Sequence, residues 1–80
     1  MSEEELILGI QSVFETTFSG KLAFSEDVRR EDQVAWDSLH HVVLMINLEG
    51  KFGVRFNGET ASKMTSASRI AEFLRSSNPK

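Results

Sequence analysis

The stretch from Leu39 to Phe52 constrains the fold more than any other part of this sequence, because it is apolar on more than one side and contains no proline. Asp37 and Ser38 stand directly before it, and both residue types favour the first positions of a helix. Gly53 follows it and suits the left-handed residue that ends many helices. These signals predict a helix over residues 38–52.

At helical spacing, the apolar residues of this stretch fall into two stripes. One stripe, with His41 one turn before it, contains Leu44, Met45, Leu48 and Phe52. The other contains Leu39, Val42, Val43 and Ile46. A surface helix normally has one apolar stripe, and a chain of 80 residues cannot easily bury a helix on all sides. We therefore expect the first stripe to face the core and the second to be at least partly exposed.

The N-terminal half predicts one helix and one long loop. Ser2 and Glu5 form a capping-box pattern at the start of an apolar periodicity, which predicts helix 1 over about residues 3–18. Residues 19–36 have no sustained period and predict a loop, and loops of this length are usually functional or held by their own side chains. The candidates to hold it against the core are Phe24, Val28, Val34 and Trp36.

The C-terminal part predicts a short helix over about residues 59–64 and a last helix over about 67–76. The fold expected from these elements is all-α: a small four-helix bundle with three main helices and one short helix, formed by residues 1–80 as a single domain. The residues expected to pack together in its core are Phe14, Leu44, Leu48, Phe52, Ile70 and Phe73.

Composition excludes several classes of protein. Cysteine is absent, which excludes disulfides and thiolate metal sites and fits a reducing compartment. No apolar run approaches the roughly 20 residues of a membrane span, and residues 1–10 hold three Glu and no basic residue, unlike a signal peptide. The net charge is −3, and the basic residues from Lys51 to Lys80 form no dense stripe that would bind nucleic acid. We expect a cytoplasmic monomer that binds neither nucleic acid nor membrane.

The candidate chemical groups reduce to one serine. His40 and His41 are adjacent and point about 100° apart on a helix, so no metal site is expected. We expect His40 to be exposed and His41 to lie at the edge of the core. No acids are spaced as a general acid and base, so no catalytic residue is expected. Ser38, between Asp37 and Leu39, stands where a helix start favours an attached anion. A lone serine there is most simply part of the cap, but without a base to activate it, this hydroxyl suits modification better than nucleophilic catalysis.

The sequence around this serine resembles the modification motif of acyl and peptidyl carrier proteins. Asp37-Ser38-Leu39 matches the D-S-L tripeptide of the family. A hydrophobic helix, an L-E pair and an aromatic residue at the helix end follow in the family, and the matching residues here are Val42, Leu44, Leu48, Glu49, Phe52, Gly53 and Val54. The helix lengths, the long first loop and the short third helix also fit, so the resemblance spans nearly the whole chain.

The resemblance implies that a phosphopantetheinyl transferase moves 4′-phosphopantetheine from coenzyme A onto the Ser38 oxygen. The thiol of the arm would carry fatty acyl, aminoacyl or polyketide intermediates from a loading enzyme to downstream enzymes of a biosynthetic pathway. The transferase would recognise Asp37 and Leu39, and Asp37 would help to position its metal ion and coenzyme A. The carrier itself would catalyse nothing.

Helix 2, predicted over residues 38–52, departs from the strongly acidic helix of fatty-acid carriers. Its one acid is Glu49, and His40, Val43 and Gly50 stand where those carriers often have acids. Trp36 stands where they usually have a small residue. These departures favour a stand-alone carrier of a specialised pathway, with a more apolar docking surface. The residues expected to dock partner enzymes are His40, Val43, Ile46 and Glu49.

Two alternatives belong to other classes of protein. One is an unmodified helical interaction module, in which the exposed stripe of helix 2 binds a groove of a partner. The other is a small catalytic domain, for which the chain offers no acid–base pair. Attachment of phosphopantetheine to Ser38 distinguishes the carrier from both.

Overall fold

The computed structural model describes residues 2–77 and arranges them as four α-helices. The helices are α1 (Glu3–Phe18), α2 (Ser38–Phe52), α3 (Gly58–Lys63) and α4 (Ala67–Ser77). The expected all-α architecture of three main helices and one short helix is confirmed within this part of the chain. Residues 1 and 78–80 of the expected domain lie outside the described residues. None of the described helices combines the length and the apolar character needed to cross a bilayer.

Local capping groups determine where the helices begin and end. Ser2 and Glu5 form the expected capping box at the start of α1. The Asp37 carboxylate accepts a hydrogen bond from the backbone N–H of His40 and thereby caps α2. Gly53 ends α2 with φ +68°, in the left-handed region where a side chain would be strained. The bounds of α1 and α2 therefore agree with those predicted from the sequence.

The core is built from the facing sides of α1, α2 and α4, together with side chains of the long loop. The Phe14 ring packs edge-on against Trp36 with the ring centroids 5.3 Å apart. Of the expected core residues, four are fully buried: Phe14, Leu44, Leu48 and Ile70. The other two, Phe52 and Phe73, are half-buried and pack against the edge of this core. Both therefore take part in the core packing as expected, but each also borders solvent.

The long loop between α1 and α2 is held by three of the four residues expected to hold it. Val28 and Trp36 are buried, and Phe24 is half-buried with its ring centroid 5.1 Å from that of Phe14. Val34 is fully exposed, so its expected role is wrong. The N–H of Trp36 donates to the carbonyl of Gln33 and closes a tight turn, which places Val34 at the tip.

Backbone pairing joins this loop to the start of α4. The N–H of Arg30 donates to Thr65 O at 2.8 Å, and the N–H of Ala67 donates to Val28 O at 3.0 Å. A one-turn 3-10 helix, Arg30–Asp32, follows this junction. The loop is therefore a fixed connection, which delivers Trp36 into the core directly before α2 begins.

Candidate functional site

Ser38 is the first residue of α2 and is exposed. The cap of this helix is Asp37, whose Oδ1 accepts from the N–H of His40 at 2.9 Å. The Ser38 hydroxyl is therefore not the group that caps the helix. The simplest alternative, in which this serine is only part of the cap, does not hold, because Asp37 is the capping residue. The Ser38 oxygen lies on the open surface beside the positive end of the helix.

The imidazole of His40 reinforces the position of Asp37. Its Nδ1 lies 2.8 Å from Asp37 Oδ1, and its ring stacks on Phe18 with the centroids 5.6 Å apart. Since an ionised carboxylate only accepts, Nδ1 carries the proton. Because its ring lies on Phe18, the His40 side chain is half-buried, whereas the sequence predicted an exposed side chain. Both hydrogen bonds from His40 end on Oδ1 and leave Oδ2 unused by this residue.

The charge of Asp37 is stabilised by these bonds. The hydrogen bond from the backbone N–H of His40 lowers the pKa of Asp37 most, and the hydrogen bond from the His40 imidazole has the next largest effect. Asp37 is thus ionised at neutral pH. Its contribution to folding is present above the pKa of the unfolded chain and is lost as the pH falls through the lowered pKa of the folded chain.

A buried hydrogen-bond series anchors the backbone on both sides of Ser38. Trp36 Nε1 donates to His41 Nδ1 at 2.9 Å, and His41 Nε2 lies 2.8 Å from the carbonyl oxygen of Ala61 in α3. An indole only donates and a carbonyl only accepts, so the His41 ring is neutral with its proton on Nε2. The sequence placed His41 at the edge of the core, and it is buried there.

A guanidinium group that the sequence did not indicate reaches Ser38 from the long loop. Arg30 Nη2 lies 3.4 Å from Ser38 Oγ, and Arg30 Nε donates to the carbonyl of Trp36 at 3.2 Å. Arg30 lies in a charge-rich loop stretch with no period, so no pattern could distinguish it from Arg29 beside it. Only the fold brings it to the start of α2.

An exposed apolar surface begins next to the serine. The exposed fractions are 69% for Leu39, 56% for Val42, 37% for Val43 and 59% for Ile46. We call these four residues the α2 patch. The stripe of α2 that contains His41, Leu44, Met45 and Leu48 is buried on the other side of the helix. The expected rotation of α2 is confirmed.

The residues expected to dock partner enzymes are not all placed alike. Val43 and Ile46 belong to the α2 patch, and His40 is engaged with Asp37 at its near end. Glu49 is about 16 Å further along the helix axis than Ser38. Its Oε2 accepts from the N–H of Phe56 at 2.8 Å, so this carboxylate stabilises the connection after α2.

Other features of residues 2–77 lie apart from this site. No three His, Asp or Glu side chains in this part of the chain cluster as metal ligands. A cleft between α1 and the end of α2 is lined by Glu5, Leu8, Gly9, Lys51 and Phe52 and does not include Ser38. The serine therefore lies on an open surface outside this cleft.

No protein-family model matches the chain, and no curated protein matches it significantly. The residues around Ser38 and the motif that they form are therefore the observations that bear on function.

Proposed function

We propose that this chain is a stand-alone acyl or aminoacyl carrier protein of a specialised biosynthetic pathway, with 4′-phosphopantetheine attached to Ser38. The observation that carries the proposal is the exposed Ser38 hydroxyl in a D-S-L tripeptide beside the α2 patch. This hydroxyl is not needed to cap α2, because Asp37 is the capping residue. The partners are a phosphopantetheinyl transferase, a loading enzyme and downstream enzymes, and the compartment is the cytoplasm.

The residues at this position fit a phosphodiester. The start of α2 favours a negative group, and the Arg30 guanidinium adds a positive charge beside Ser38 Oγ. In the transfer, the Ser38 Oγ–P bond forms and the phosphoanhydride bond of coenzyme A breaks. Adenosine 3′,5′-bisphosphate leaves, and the hydroxyl proton passes to the transferase. When bound, phosphopantetheine supplies a thiol that holds acyl groups as thioesters. The chain itself presents and orients the attachment point and is no enzyme.

Intact mass measurement tests the proposal directly. The protein is co-expressed with a broad-specificity phosphopantetheinyl transferase, next to a known carrier protein as a positive control. We expect the mass to rise by one phosphopantetheinyl group, and peptide mapping to place it on Ser38. The proposal fails if the known carrier is modified and this chain is not, or if the group is found on another serine such as Ser19 or Ser66.

Replacing Asp37 by Asn is expected to slow this modification while leaving the fold stable. Asparagine caps a helix about as well as aspartate, and its side-chain oxygen can still accept from the N–H of His40. The lost charge removes a group that we propose to assist the metal ion of the transferase. We expect the initial rate of phosphopantetheine attachment to fall about tenfold, the size of effect typical of lost support to a metal site. Attachment at the rate of the native chain would show that Asp37 is not part of the site.

Replacing Ile46 by Asp is expected to impair loading without unfolding the protein. The side chain is 59% exposed, so the fold tolerates a charge there, while a charge in an apolar interface costs binding. We expect the rate at which the cognate loading enzyme transfers its acyl or aminoacyl group to the arm to fall about tenfold, as for a central contact of an interface. The loss should be the same at low and high salt, because screening acts on charges and not on apolar contacts.

Leu8 provides the matched control for this variant. It is 57% exposed on α1, away from the α2 patch, and Leu8→Asp should load normally. Circular dichroism monitors the fold of both variants. The docking role is contradicted if both variants load equally well, or if loading of the native chain falls steeply with salt.

The α2 patch also suits the alternative function, an unmodified interaction module. Such a module would bind its partner with Ser38 unmodified. The mass measurement separates the two, since only the carrier gains a phosphopantetheinyl group.

A further inference from the structure

Arg30 is held in place by contacts on both its backbone and its side chain. Its N–H donates to Thr65 O at 2.8 Å, which ties it to the start of α4. Its Nε donates to the carbonyl of Trp36 at 3.2 Å, and the residue is half-buried. The guanidinium group is therefore directed to the start of α2, where Nη2 lies 3.4 Å from Ser38 Oγ.

The neighbouring arginine has a different environment. Arg29 is exposed and pairs with two carboxylates, Glu31 at 3.5 Å and Asp32 at 3.2 Å. Within residues 2–77, Arg30 is within ion-pair distance of no carboxylate. Its two hydrogen bonds go to neutral oxygens, a carbonyl and a hydroxyl. Its positive charge is therefore available to an anion attached at Ser38.

We propose that Arg30 binds the phosphate of the group attached to Ser38 and thereby orients the first part of the arm on the protein surface. This inference rests on the proposed function. A phosphorus atom on Ser38 Oγ carries its free oxygens two bonds beyond the atom that Nη2 already contacts. Guanidinium groups bind phosphate through parallel N–H donors, and hydrogen bonds between charged partners are about twice as strong as neutral ones. Attachment thus replaces a long hydrogen bond to a hydroxyl by a charged one.

A purely structural role of Arg30, as a link between the loop and α2, makes a different prediction. Such a link stabilises the unmodified and the modified protein equally. A phosphate-binding residue interacts more strongly after modification, so its effect differs between the two forms. The experiment therefore compares each variant before and after attachment.

The test uses intact protein fully modified by a broad-specificity transferase and coenzyme A, with complete attachment verified by mass. The variants are Arg30→Gln, Arg30→Lys and, as a matched control for charge, Arg29→Gln. The first readout is the phosphorus-31 chemical shift of the attached phosphodiester. In Arg30→Gln we expect it to move toward the value measured in denaturant, while Arg29→Gln keeps the native value. Arg30→Lys should lie between them, because it keeps the charge and loses the fork of donors.

Thermal unfolding is the second readout. Attachment should raise the melting temperature of the native chain and of Arg29→Gln by about 2–4 °C more than that of Arg30→Gln, as expected for one added surface interaction in a domain of this size. The third readout needs no variant to fold: the Arg30 Nε–H resonance of the native chain should shift on modification.

The outcomes separate this inference from the function on which it rests. If no phosphopantetheine attaches to the native chain, the proposed function fails, and the role of Arg30 fails with it. If it attaches to Ser38, but the phosphorus shift is unchanged in Arg30→Gln and the Nε–H resonance is unchanged in the native chain, only the role of Arg30 is overturned. If Arg30→Gln does not fold, the phosphorus shift of Arg30→Lys and the Arg30 Nε–H resonance of the native chain decide between the two roles.

Discussion

A chain with alanine at position 38 is expected to take up no phosphopantetheine and to fold normally. The attachment needs the Ser38 oxygen, so its removal abolishes the reaction completely rather than slowing it. The fold should be little affected, because Asp37 caps α2 and the hydroxyl of Ser38 makes one long contact, to Arg30. We expect the free energy of unfolding to change by no more than about 0.5 kcal/mol, as at other surface positions. Intact mass and urea unfolding measure the two quantities.

Ser12→Ala is the matched control for this variant. Ser12 is also an exposed helical serine, in the middle of α1, and it should leave modification complete. If Ser38→Ala gains the mass of a phosphopantetheinyl group, another residue is the attachment point. If Ser38→Ala is unfolded, loss of modification would carry no information about chemistry, and the argument for a free hydroxyl would be wrong.

Leu48→Ala is expected to cause the largest loss of stability, about 2–5 kcal/mol. Leu48 is fully buried in the core, and alanine leaves a cavity that the surrounding helices cannot fill completely. Small domains are stable by only about 5–15 kcal/mol, so the variant should unfold at a much lower urea concentration. Urea unfolding followed by circular dichroism measures this change.

Ile46→Ala tests whether α2 is rotated as described. Ile46 is on the same helix as Leu48 but on the exposed side, in the α2 patch. Its truncation should change the free energy of unfolding by about 0.5 kcal/mol or less. Equal losses for the two variants, or the reverse order, would contradict the placement of the two apolar stripes.

Helix positions could be predicted from the sequence because their signals are local. The Ser2–Glu5 capping box, the Asp37 cap and the Gly53 stop act within three or four residues of the chain. Exposure of one of the two stripes of α2 could be predicted because an 80-residue chain cannot easily bury a helix on all sides. Local chemistry and overall size were therefore sufficient for the helices and for an exposed apolar stripe on α2.

Contacts made by the long loop could not be predicted in the same way. Val34 and Val28 are the same residue type in an aperiodic segment, and only the turn closed by Gln33 and Trp36 exposes one of them. Phe52 and Phe73 have suitable spacing, but the size of the bundle leaves them at its edge. Tertiary packing decides such cases, and no local pattern reports it.

In the candidate site, too, some residues could be predicted from the sequence and others only from the folded chain. Asp37, Ser38 and Leu39 are adjacent in sequence, so the motif alone identified them. The contact of His40 with Phe18 and that of Arg30 with Ser38 join separate segments and required the folded chain. The structure therefore adds the surroundings of the serine, and the sequence motif identifies the serine itself.

The shortest helix has a consequence for how firmly this site is held. α3 has six residues and no fully buried side chain, and helices of that length are unstable alone in water. We expect α3 to open locally far more often than the whole protein unfolds. Native-state hydrogen exchange should show its amides exchanging at a lower opening free energy than those of α2, whereas exchange only by global unfolding would contradict this. Each opening removes the Ala61 carbonyl from His41 and loosens the series that ends at Trp36, two residues before Ser38. If α3 opens as expected, the orientation of Ser38 can change through His41 and Trp36 without unfolding of the whole protein.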